Sequence, residues 1–388
     1  MGKSAIIFGM SNSIHLLNFV KVILESRDDI DEIVVFNTIS SISDTKYQTY
    51  YNENKIKIYD AKEINVANRY LKILLNFILR YKDLRRHLKR HGRYDYCFVL
   101  YCSWQSVLWT SIKKQYFKQL IPVFWGGDVL RNKRLHRFIY RLFLKYSYKI
   151  VLPNINAQKV FSNKTKGMYD MKTHVIQYPK KMIQCLQNLE SKVDLKLVKE
   201  QFNLPTDKLI VICGHTATRA EQYERMITEI KKCNDEVKQK CYFVFMMTYA
   251  PDDYKGYQEE VKNLLMDKII SGTVFTNYIP YEEILKLHFI SNIHITTIKT
   301  DAFSCFLQEE LYTGSIIVYG KWLNYYEIEN GQYATVPIND FGELSKKIDE
   351  IIVNFEEYEH SSTRNRDAIV SLASEESIIN SWDKYIFH

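Results

Sequence analysis

Glycine and proline are scarce in this sequence, with 13 glycines and 7 prolines among 388 residues. Collagen-like repeats and low-complexity linkers need far more of both residues, so neither class fits. The seven cysteines are odd in number and scattered, and no two of them form a CxxC pair. This pattern excludes a disulfide framework and a zinc site, and it predicts a protein of a reducing compartment.

Long hydrophobic stretches are also missing. No segment offers about 18 uninterrupted apolar residues, and the first apolar run, at residues 5–8, meets a turn at once. The sequence therefore predicts neither a membrane-spanning helix nor a secretory signal. Together with the cysteine pattern, this predicts a cytoplasmic protein. At roughly 100–200 residues per domain, the length predicts two or three domains.

Charge is divided unevenly along the chain. Residues 1–178 contain 30 Lys and Arg against 13 Asp and Glu, a net charge of +17. Residues 179–388 contain 23 against 32, a net charge of −9. Within the first half, residues 66–150 hold 19 basic and only three acidic side chains. A basic half joined to an acidic half predicts that the two halves face different partners.

Residues 66–91 are predicted to form a basic amphipathic helix. Cations crowd its polar side and C-terminal end, and apolar residues recur at three- and four-residue spacing, namely Leu71, Leu74, Leu75, Ile78, Leu79 and Tyr81. Either the helix lies on an anionic membrane, or it packs into the core and its basic end is solvated. A second basic cluster at 131–149 favours membrane or phosphate binding. Nucleic acid is disfavoured because no recognition helix, zinc finger or aromatic RNA-binding motif accompanies the charge.

Short apolar runs alternate with helical patterns in both halves, which predicts parallel sheets covered by helices. Strands are predicted at 5–8, 32–36, 55–59, 96–100, 121–124 and 149–152, and then at 208–213, 241–247, 274–275, 293–298 and 316–319. The predicted architecture is α/β, with two doubly wound domains facing a central cleft. Its parts are a basic domain at 1–178, a linker at 179–204, a second domain at 205–365 and a C-terminal helix at 366–388.

The most specific motif follows the predicted strand at 293–298. It begins with Asp301-Ala-Phe303-Ser304 and places Glu309 eight residues after Asp301. The loop opens a helix whose free N–H groups can receive a diphosphate. Glu309, about two turns along, can reach ribose hydroxyls, and Asp301 lies at the mouth of the loop. The alternative is an acidic helix cap with a surface glutamate.

A second motif, Gly214-His215-Thr216, lies between the strand at 208–213 and a predicted helix at 219–233. Glycine permits close backbone approach, and small residues leave the helix N-terminus open to an anion. Strand–glycine–helix turns are common, so this motif alone is a weak signal. Lys299 is either a phosphate-neutralising cation or a solvated loop lysine.

The first motif resembles the signature of retaining GT-B nucleotide-sugar glycosyltransferases of the family 4-like type. That signature is an acidic residue, Gly, Phe and Gly, four further residues, and then Glu-Ala with a closing Gly. The matching residues are Asp301, Phe303, Ser304, Glu309 and Gly314, with Asp in place of the usual Glu and Ser304 in place of Gly. The turn at Gly214 is similar to that of bacterial 4-acetamido-4,6-dideoxygalactose (Fuc4NAc) transferases, and Tyr249 also resembles a position in that group.

The resemblance implies a GT-B transferase that moves a sugar from a nucleotide-diphosphate donor to a lipid-linked saccharide acceptor. It implies retention of configuration, no bound metal or other cofactor, and a role in O-antigen or capsule synthesis at the inner face of the bacterial membrane. Asp301 and Glu309 would position the donor sugar and the ribose. The donor site that it implies is completed by Gly214, His215, Thr216, Arg219, Tyr249, Lys299, Phe303, Ser304 and Thr313.

In the first half, Trp125-Gly126-Gly127-Asp128 follows a predicted strand and looks like the (His/Trp)-Gly-x-Asp segment of bacterial polysaccharide glycosyltransferases. Asp128 would hold acceptor hydroxyls or act as a catalytic base, or else cap the next helix. Arg131 would meet the acceptor's phosphate. The predicted acceptor-binding residues are Gly9, Ser11, Asn12, His15, Trp125 and Arg131. For His15, a purely structural role is equally compatible with the sequence.

Several alternatives stay open at this level. One is a sugar-nucleotide epimerase of the same fold, and another is a non-catalytic, membrane-associated binding subunit. A dinucleotide-dependent oxidoreductase is disfavoured because the turn after residues 5–8 lacks GxGxxG. The end of the chain resembles the closing helix that crosses back onto the N-terminal domain in many GT-B enzymes, with local docking as the alternative.

Overall fold

The computed structural model describes residues 2–10, 13–38, 45–54, 56–59, 64, 67–132, 138–248 and 255–388. The chain forms two compact units. Unit 1 comprises Met1–Lys181 and Glu375–His388, and unit 2 comprises Met182–Ser374. Each unit is built on one all-parallel sheet, as the alternation of strands and helices predicted.

Unit 1 contains a seven-stranded sheet in the order β3-β2-β1-β4-β5-β6-β7. The strands are β1 (Lys3–Gly9), β2 (Ile30–Asn37), β3 (Lys57–Tyr59), β4 (Tyr94–Leu100), β5 (Phe117–Val123), β6 (Ile150–Leu152) and β7 (Thr173–Val175). The helices are α1 (Ile14–Phe19), which continues as a π-helical turn over Val20–Leu24, α2 (Thr45–Glu53), α3 (Arg69–His91), α4 (Trp104–Ile112), α5 (Gly127–Leu130), α6 (Phe138–Tyr146) and α7 (Ile155–Thr165).

The central strand β1 is buried on both sides. Ile6 and Phe8 join one hydrophobic cluster with the side chains of α3, and Ala5 and Ile7 join a second cluster with those of α1. A strand covered on both faces needs an uninterrupted apolar run rather than an alternating one. The run AIIF, with no polar residue in it, meets this requirement.

Helix α3 packs into the unit 1 core mainly through its C-terminal half. Leu84 and Leu88 are fully buried, and Phe77 and Tyr81 pack against the same cluster. The exposed apolar residues of the helix include Leu71, Leu74 and Ile78, which belong to the predicted amphipathic pattern. The apolar pattern of α3 therefore continues beyond what the core uses.

Unit 2 contains a six-stranded sheet in the order β10-β9-β8-β11-β12-β13. The elements run as α8 (Met182–Glu190), α9 (Leu195–Gln201), β8 (Leu209–Cys213), α10 (Tyr223–Ile230), α11 (Asp235–Lys240), β9 (Cys241–Met246), α12 (Lys255–Asn263), β10 (Gly272–Phe275), α13 (Tyr281–Ile290), β11 (Ile293–Thr296), α14 (Cys305–Thr313), β12 (Ile316–Gly320), β13 (Thr335–Ile338), α15 (Leu344–Val353), α16 (Phe355–Ser362) and α17 (Asn365–Ala373). The remaining helix, α18 (Glu375–Trp382), ends in a π-helical turn over Asp383–Phe387 and belongs to unit 1.

Two segments differ from the predicted domain limits. Residues 182–204, predicted as linker, form α8 and α9, whose apolar residues Met182 and Val198 are buried in unit 2. The predicted C-terminal helix at 366–388 is divided between the units, because α17 packs in unit 2 whereas α18 packs in unit 1. Trp382 fills the unit 1 core, with its ring centroid 5.1 Å from that of Phe19.

All seven cysteines are free thiols, five of them buried. No helix in the described ranges is long and apolar enough to cross a membrane.

Candidate functional site

The carboxyl ends of β8 and β11 bring the two predicted donor motifs together in unit 2. The Gly214 N–H donates to the Ile295 carbonyl (3.0 Å), and the Lys299 N–H donates to the Ala220 carbonyl (2.9 Å). The turn after β8 and the loop after β11 are therefore neighbours. They lie at the edge of the sheet where open α/β proteins bind ligands.

Only glycine fits at position 214. Its φ is +61°, which L-residues with a side chain adopt at a cost. A Cβ there would also lie 2.5 Å from the Tyr223 hydroxyl oxygen. That hydroxyl contacts two carbonyl oxygens, those of Thr216 (2.8 Å) and Met246 (2.7 Å), so it cannot move aside without losing both.

Glu221, which the sequence did not single out, organises this turn. Its carboxylate is fully buried, and Oε1 accepts from the backbone N–H of Thr216 (3.1 Å) and from the Thr216 hydroxyl (2.9 Å). The same oxygen lies 3.1 Å from Nδ1 of His215. Burial raises the pKa of Glu221, and these partners oppose the rise only in part. Oε2 is also buried and makes no hydrogen bond within the described part of the chain.

The Glu221 contact determines how His215 presents its ring. Nδ1 must carry a proton to donate to the carboxylate, so Nε2 is the nitrogen left for a ligand. The side chain is 18% exposed, and its ring centroid lies 5.7 Å from that of Phe306. A helix was predicted to start at 219, but Gln222 has a φ of +62° and α10 begins only at Tyr223. The chain therefore makes an additional turn before α10, and the Glu221 side chain is buried beneath this turn.

Asp301 shapes the loop after β11. Its Oδ2 accepts from the Ser304 N–H (2.8 Å) and from the Tyr325 hydroxyl (2.7 Å). Ser304 is the N-cap of α14, and its hydroxyl accepts from the Leu307 N–H, which explains a serine where the family signature has glycine. Phe303 has a φ of +58° and is buried against Tyr325, so it anchors the loop rather than facing a ligand.

Glu309 is neither a cap nor a surface residue. It lies in a buried network between α13 and α14, where its carboxylate is 2% exposed. Oε1 accepts from the Tyr281 hydroxyl (2.7 Å), and Oε2 accepts from Nε2 of His288 (3.0 Å). Tyr281 is the first residue of α13 and is 48% exposed, so Glu309 is connected to the carboxyl edge of the sheet through this hydroxyl.

His288 carries a buried positive charge between two carboxylates. Its Nδ1 donates to Glu310 Oε1 (2.8 Å), while Nε2 donates to Glu309. Burial alone would lower the pKa of His288, but the charge of Glu310 and the hydrogen bonds to both carboxylates raise that pKa to about 9. Burial also disfavours a charged Glu310, yet His288 lowers the pKa of this carboxyl. Glu310 faces the other end of the network, where it accepts from the Ser315 hydroxyl.

Phe306 connects this network to the turn after β8. Its ring centroid lies 4.5 Å from that of His288, 5.3 Å from that of His294 and 5.7 Å from that of His215. Burial lowers the pKa of His294 to about 4, so this histidine is neutral where His288 is charged. One aromatic ring in the first turn of α14 thus separates the three imidazoles.

Two predicted donor residues have other contacts. Arg219 is exposed and forms ion pairs with Glu224 (3.1 Å) and Glu260 (2.7 Å), so its charge is already compensated. Thr313 is the last residue of α14, about 12 Å along the helix from its first, and its hydroxyl donates to carbonyls of the preceding turn. Lys299 is exposed at the edge of the site. Tyr249 lies outside the described residues.

In unit 1, Asp128 ties two loops together. Oδ1 accepts from the N–H groups of Trp125 (2.9 Å) and Gly126 (3.1 Å), and Oδ2 accepts from the Cys102 N–H (3.0 Å). Burial raises the pKa of Asp128 to about 6 against these hydrogen bonds. Because the carboxylate is buried and each oxygen already has a backbone donor, the geometry favours a positioning role over that of a base. It caps no N–H of α5 itself.

The other predicted acceptor residues differ in accessibility. His15, in the first turn of α1, and Arg131, after α5, are exposed, and Trp125 is half-buried. Gly9 is buried, and a Cβ there would lie 2.7 Å from the Leu16 side chain, so it serves close packing. Ser11 and Asn12 lie outside the described residues, as do 66 and 133–137 of the two basic segments.

Within the described ranges, no group of three or more His, Cys, Asp and Glu side chains is arranged to hold a metal ion.

The comparisons with known proteins give structural matches over the whole chain. HepE from Anabaena, in complex with UDP and glucose, matches with a TM-score of 0.74 at 11% sequence identity, over 99% of this chain and 99% of that chain. A glycosyltransferase from Rickettsia africae matches with a TM-score of 0.74 at 14% identity, over 100% and 99%. Sucrose-phosphate synthase from Thermosynechococcus elongatus matches with a TM-score of 0.70 at 12% identity, over 98% of each chain.

No protein-family model and no curated protein matches the sequence. At such low identities the structural likeness establishes the fold, which is the α/β GT-B fold of glycosyltransferases. The predicted fold class is therefore confirmed.

Proposed function

We propose that this chain is a glycosyltransferase that moves a sugar from a nucleoside-diphosphate donor, bound by unit 2, to a saccharide acceptor, bound by unit 1. The observation that carries the proposal is the pairing, at the carboxyl edge of the unit 2 sheet, of the Gly214 turn with the capped N-terminus of α14. The fold that the chain shares with glycosyltransferases supports it. So does the resemblance of the Gly214 turn to that of Fuc4NAc transferases.

The diphosphate is assigned to the space between these two loops. The first turn of α14 offers the positive end of the helix dipole, while Asp301 and the Ser304 hydroxyl accept from the N–H groups of Ser304 and Leu307. Glu221 occupies Nδ1 of His215, so an imidazolium at this position would donate to the diphosphate through Nε2. Lys299 lies at the same edge and can reach the outer phosphate. These groups stabilise a leaving diphosphate without a metal ion, which is the form of catalysis that we propose.

The ribose is assigned to Glu309 and Tyr281. Each carboxylate oxygen has two lone pairs, so Oε1 can accept from a ribose hydroxyl as well as from Tyr281. His288 and Glu310 hold the Glu309 side chain in place from behind. Asp301 then lies on the donor-sugar side of the diphosphate. In this position the carboxylate can meet sugar hydroxyls through Oδ1, while Oδ2 holds the loop.

The proposed reaction retains configuration at the anomeric carbon. An acceptor hydroxyl attacks this carbon on the face from which the diphosphate leaves. The bond between the anomeric carbon and the phosphate oxygen breaks as the new glycosidic bond forms, and the hydroxyl proton passes to the departing phosphate. This chain's own groups then neutralise the nucleoside diphosphate, and no enzyme nucleophile is required.

A nucleotide screen by thermal shift tests the donor assignment, with UDP, TDP, GDP, CMP and NAD, each with and without EDTA. UDP is the first candidate because HepE is complexed with UDP and with UDP-glucose. A ligand that binds only the native state stabilises it by about 2.7 kcal/mol at a hundredfold excess over Kd. We expect one nucleoside diphosphate to raise Tm by several degrees, with no effect of EDTA.

Two outcomes of the screen would contradict the proposal. An unchanged Tm with every diphosphate would contradict the proposed donor site. A rise in Tm with NAD alone would favour an oxidoreductase over a transferase. A diphosphate that binds only without EDTA would overturn metal independence and leave the donor site in place.

We further propose that the acceptor is lipid-linked, as in O-antigen or capsule synthesis, and that unit 1 meets an anionic membrane through α3. Leu71, Leu74 and Ile78 are exposed on one stripe of this helix. At helical spacing the same stripe continues with the exposed cations Lys82, Arg85 and Lys89. An apolar stripe that leads into a basic one fits lipid tails at one end and anionic headgroups at the other.

Neutralising four cations of α3 tests this surface. We expect the Arg85→Gln, Arg86→Gln, Lys89→Gln, Arg90→Gln variant to bind phosphatidylglycerol vesicles about 10³-fold more weakly at low salt, at about 1 kcal/mol per cation. A matched variant replaces four cations of unit 2, Lys232, Lys238, Lys240 and Lys346, and should bind as the wild type does. Equal binding by both variants in a sedimentation assay would leave α3 as a solvated helix.

A further inference from the structure

Four aromatic side chains converge at the carboxyl edge of the unit 1 sheet, each from the end of a different strand. His15 follows β1, Tyr101 follows β4, Trp125 follows β5 and Tyr178 follows β7. Trp125 lies at the centre of this aromatic cluster. Its ring centroid lies 4.8 Å from that of His15, 5.4 Å from that of Tyr101 and 5.5 Å from that of Tyr178. Ligands of open α/β sheets bind at this edge.

The aromatic cluster lies between the core and the surface. Trp125 and Tyr178 are half-buried and pack against the hydrophobic cluster that α1 joins. His15 is exposed and Tyr101 is 39% exposed, although large aromatic rings normally contribute their area to the interior. Ring surface of His15 and Tyr101, and part of that of Trp125 and Tyr178, is therefore available to a ligand.

The backbone of Tyr101 gives a second, independent indication. Its φ is +54°, in the left-handed region, where a bulky L-residue costs roughly 1–2 kcal/mol. Glycine would adopt this conformation without the cost. A tyrosine is thus kept where the backbone favours glycine, and its ring lies against Trp125 with much of its surface in solvent. Backbone strain of this kind concentrates at functional sites.

Asp128 holds the two central loops of the aromatic cluster in register. One carboxylate oxygen accepts from the Trp125 N–H, and the other accepts from the Cys102 N–H, which directly follows Tyr101. The Tyr178 hydroxyl in turn donates to the His15 carbonyl (3.0 Å). The rings are therefore positioned by hydrogen bonds of their own loops, as a preorganised binding surface requires.

We infer that this aromatic cluster is a platform that stacks one face of a pyranose ring of the acceptor. The axial C–H bonds of a pyranose are weakly positive and apolar, and they match the negative faces of aromatic rings. The inference rests on the proposed function, because it takes the sugar to be the acceptor's. It adds Tyr101 and Tyr178 to the acceptor site. It also specifies the substrate class: the acceptor is recognised through a sugar ring and not through its phosphate or lipid alone.

Saturation-transfer NMR on the whole chain tests the platform. The probes are the methyl β-glycosides of glucose, galactose and N-acetylglucosamine, with glycerol as a polyol that has no ring face. We expect irradiation of aromatic protons to saturate the C–H protons on one face of at least one glycoside, and none of glycerol. Tyr101→Gly should reduce this transfer at least threefold without lowering Tm, since glycine accepts the left-handed φ. Tyr101→Phe should retain it.

A control and a second variant keep the result decisive. Tyr148→Ala removes an exposed tyrosine that precedes β6, at the opposite edge of the sheet, and should leave the transfer unchanged. Trp125→Phe keeps a ring at the centre and should retain part of the signal.

The inference is overturned if no glycoside receives saturation, or if the signal is equal in wild type and Tyr101→Gly. UDP binding is measured on the same samples, so a chain that binds UDP but no glycoside loses only this inference, and one that binds a glycoside but no diphosphate loses the proposed donor site.

Discussion

Glu309→Gln is expected to weaken the binding of UDP and of uridine by the same factor, about 10- to 100-fold. The proposed contact of Glu309 is with the ribose, which both ligands contain. A hydrogen bond to a charged group contributes about 1.5–3 kcal/mol, and each 1.4 kcal/mol changes the affinity tenfold. Glutamine keeps the shape of the side chain, so it fills the same space between Tyr281 and His288. Calorimetric titration with the two ligands gives both affinities.

The adjacent carboxylate supplies a matched control for this variant. Glu310 is bound to His288 as Glu309 is, but it faces Ser315 at the far end of the network. Breaking one contact of a buried ion pair destabilises a protein by several kcal/mol, so Glu310→Gln should lower Tm. Its affinity for UDP should stay within about twofold of the wild type at a temperature where both are folded. Equal losses of affinity in the two variants would make Glu309 a structural residue of the network.

The parallel sheets were predictable because a strand buried on both faces leaves an unbroken apolar run. AIIF at 5–8 and KLIVIC at 208–213 are such runs, and both lie in central strands. The last strand of each sheet, β7 and β13, was not predicted. Each is only three or four residues long and contains polar or proline residues, which sheet edges tolerate. The opposite edge strands, β3 and β10, are equally short, and both were predicted at least in part, at 55–59 and 274–275.

The predicted donor site was correct about which loops meet, because carboxyl ends of parallel strands share one edge. It was less informative about which atoms those loops present. Burial of Glu221 and the charge on His288 depend on side chains from other elements, and no local pattern records them. Arg219 also has a partner that no local pattern predicts. A cation beside a glycine turn suggests a phosphate ligand, but Glu260 from the distant helix α12 pairs with it.

The part of α3 that the core covers could not be predicted for a related reason. Apolar residues recur along the whole helix, and periodicity does not show where the core ends. The buried leucines are those at 84 and 88, whereas those at 71 and 74 are exposed. An apolar pattern that extends beyond the buried residues leaves apolar side chains exposed. Exposed apolar surface of this kind is typical of a site that binds an apolar partner.

Glu221→Gln is expected to weaken UDP binding about 10- to 100-fold and to leave uridine binding unchanged. The carboxylate accepts the Nδ1 proton of His215, and in this way it makes Nε2 the nitrogen that meets the diphosphate. A glutamine amide has no negative charge to hold the Nδ1–H, and its NH2 group can face Nδ1 instead, so the ring no longer keeps Nε2 toward the diphosphate. The loss therefore concerns phosphate only, in contrast to the loss in Glu309→Gln. Calorimetric titrations with UDP and uridine, on the variant and the wild type, check it.

A double-mutant cycle shows whether Glu221 acts through His215. If it does, the variant that combines Glu221→Gln with His215→Gln binds UDP as weakly as His215→Gln alone, because the second change removes nothing further. Glu224→Gln, three residues further along in α10 and bound to Tyr257 and Arg219, should keep the wild-type affinity. Additive losses in the double variant would mean that Glu221 supports the turn through Thr216. Tighter UDP binding by Glu221→Gln would mean that the buried carboxylate repels the diphosphate more than it helps by orienting His215. The proposed role of this pair would then be wrong.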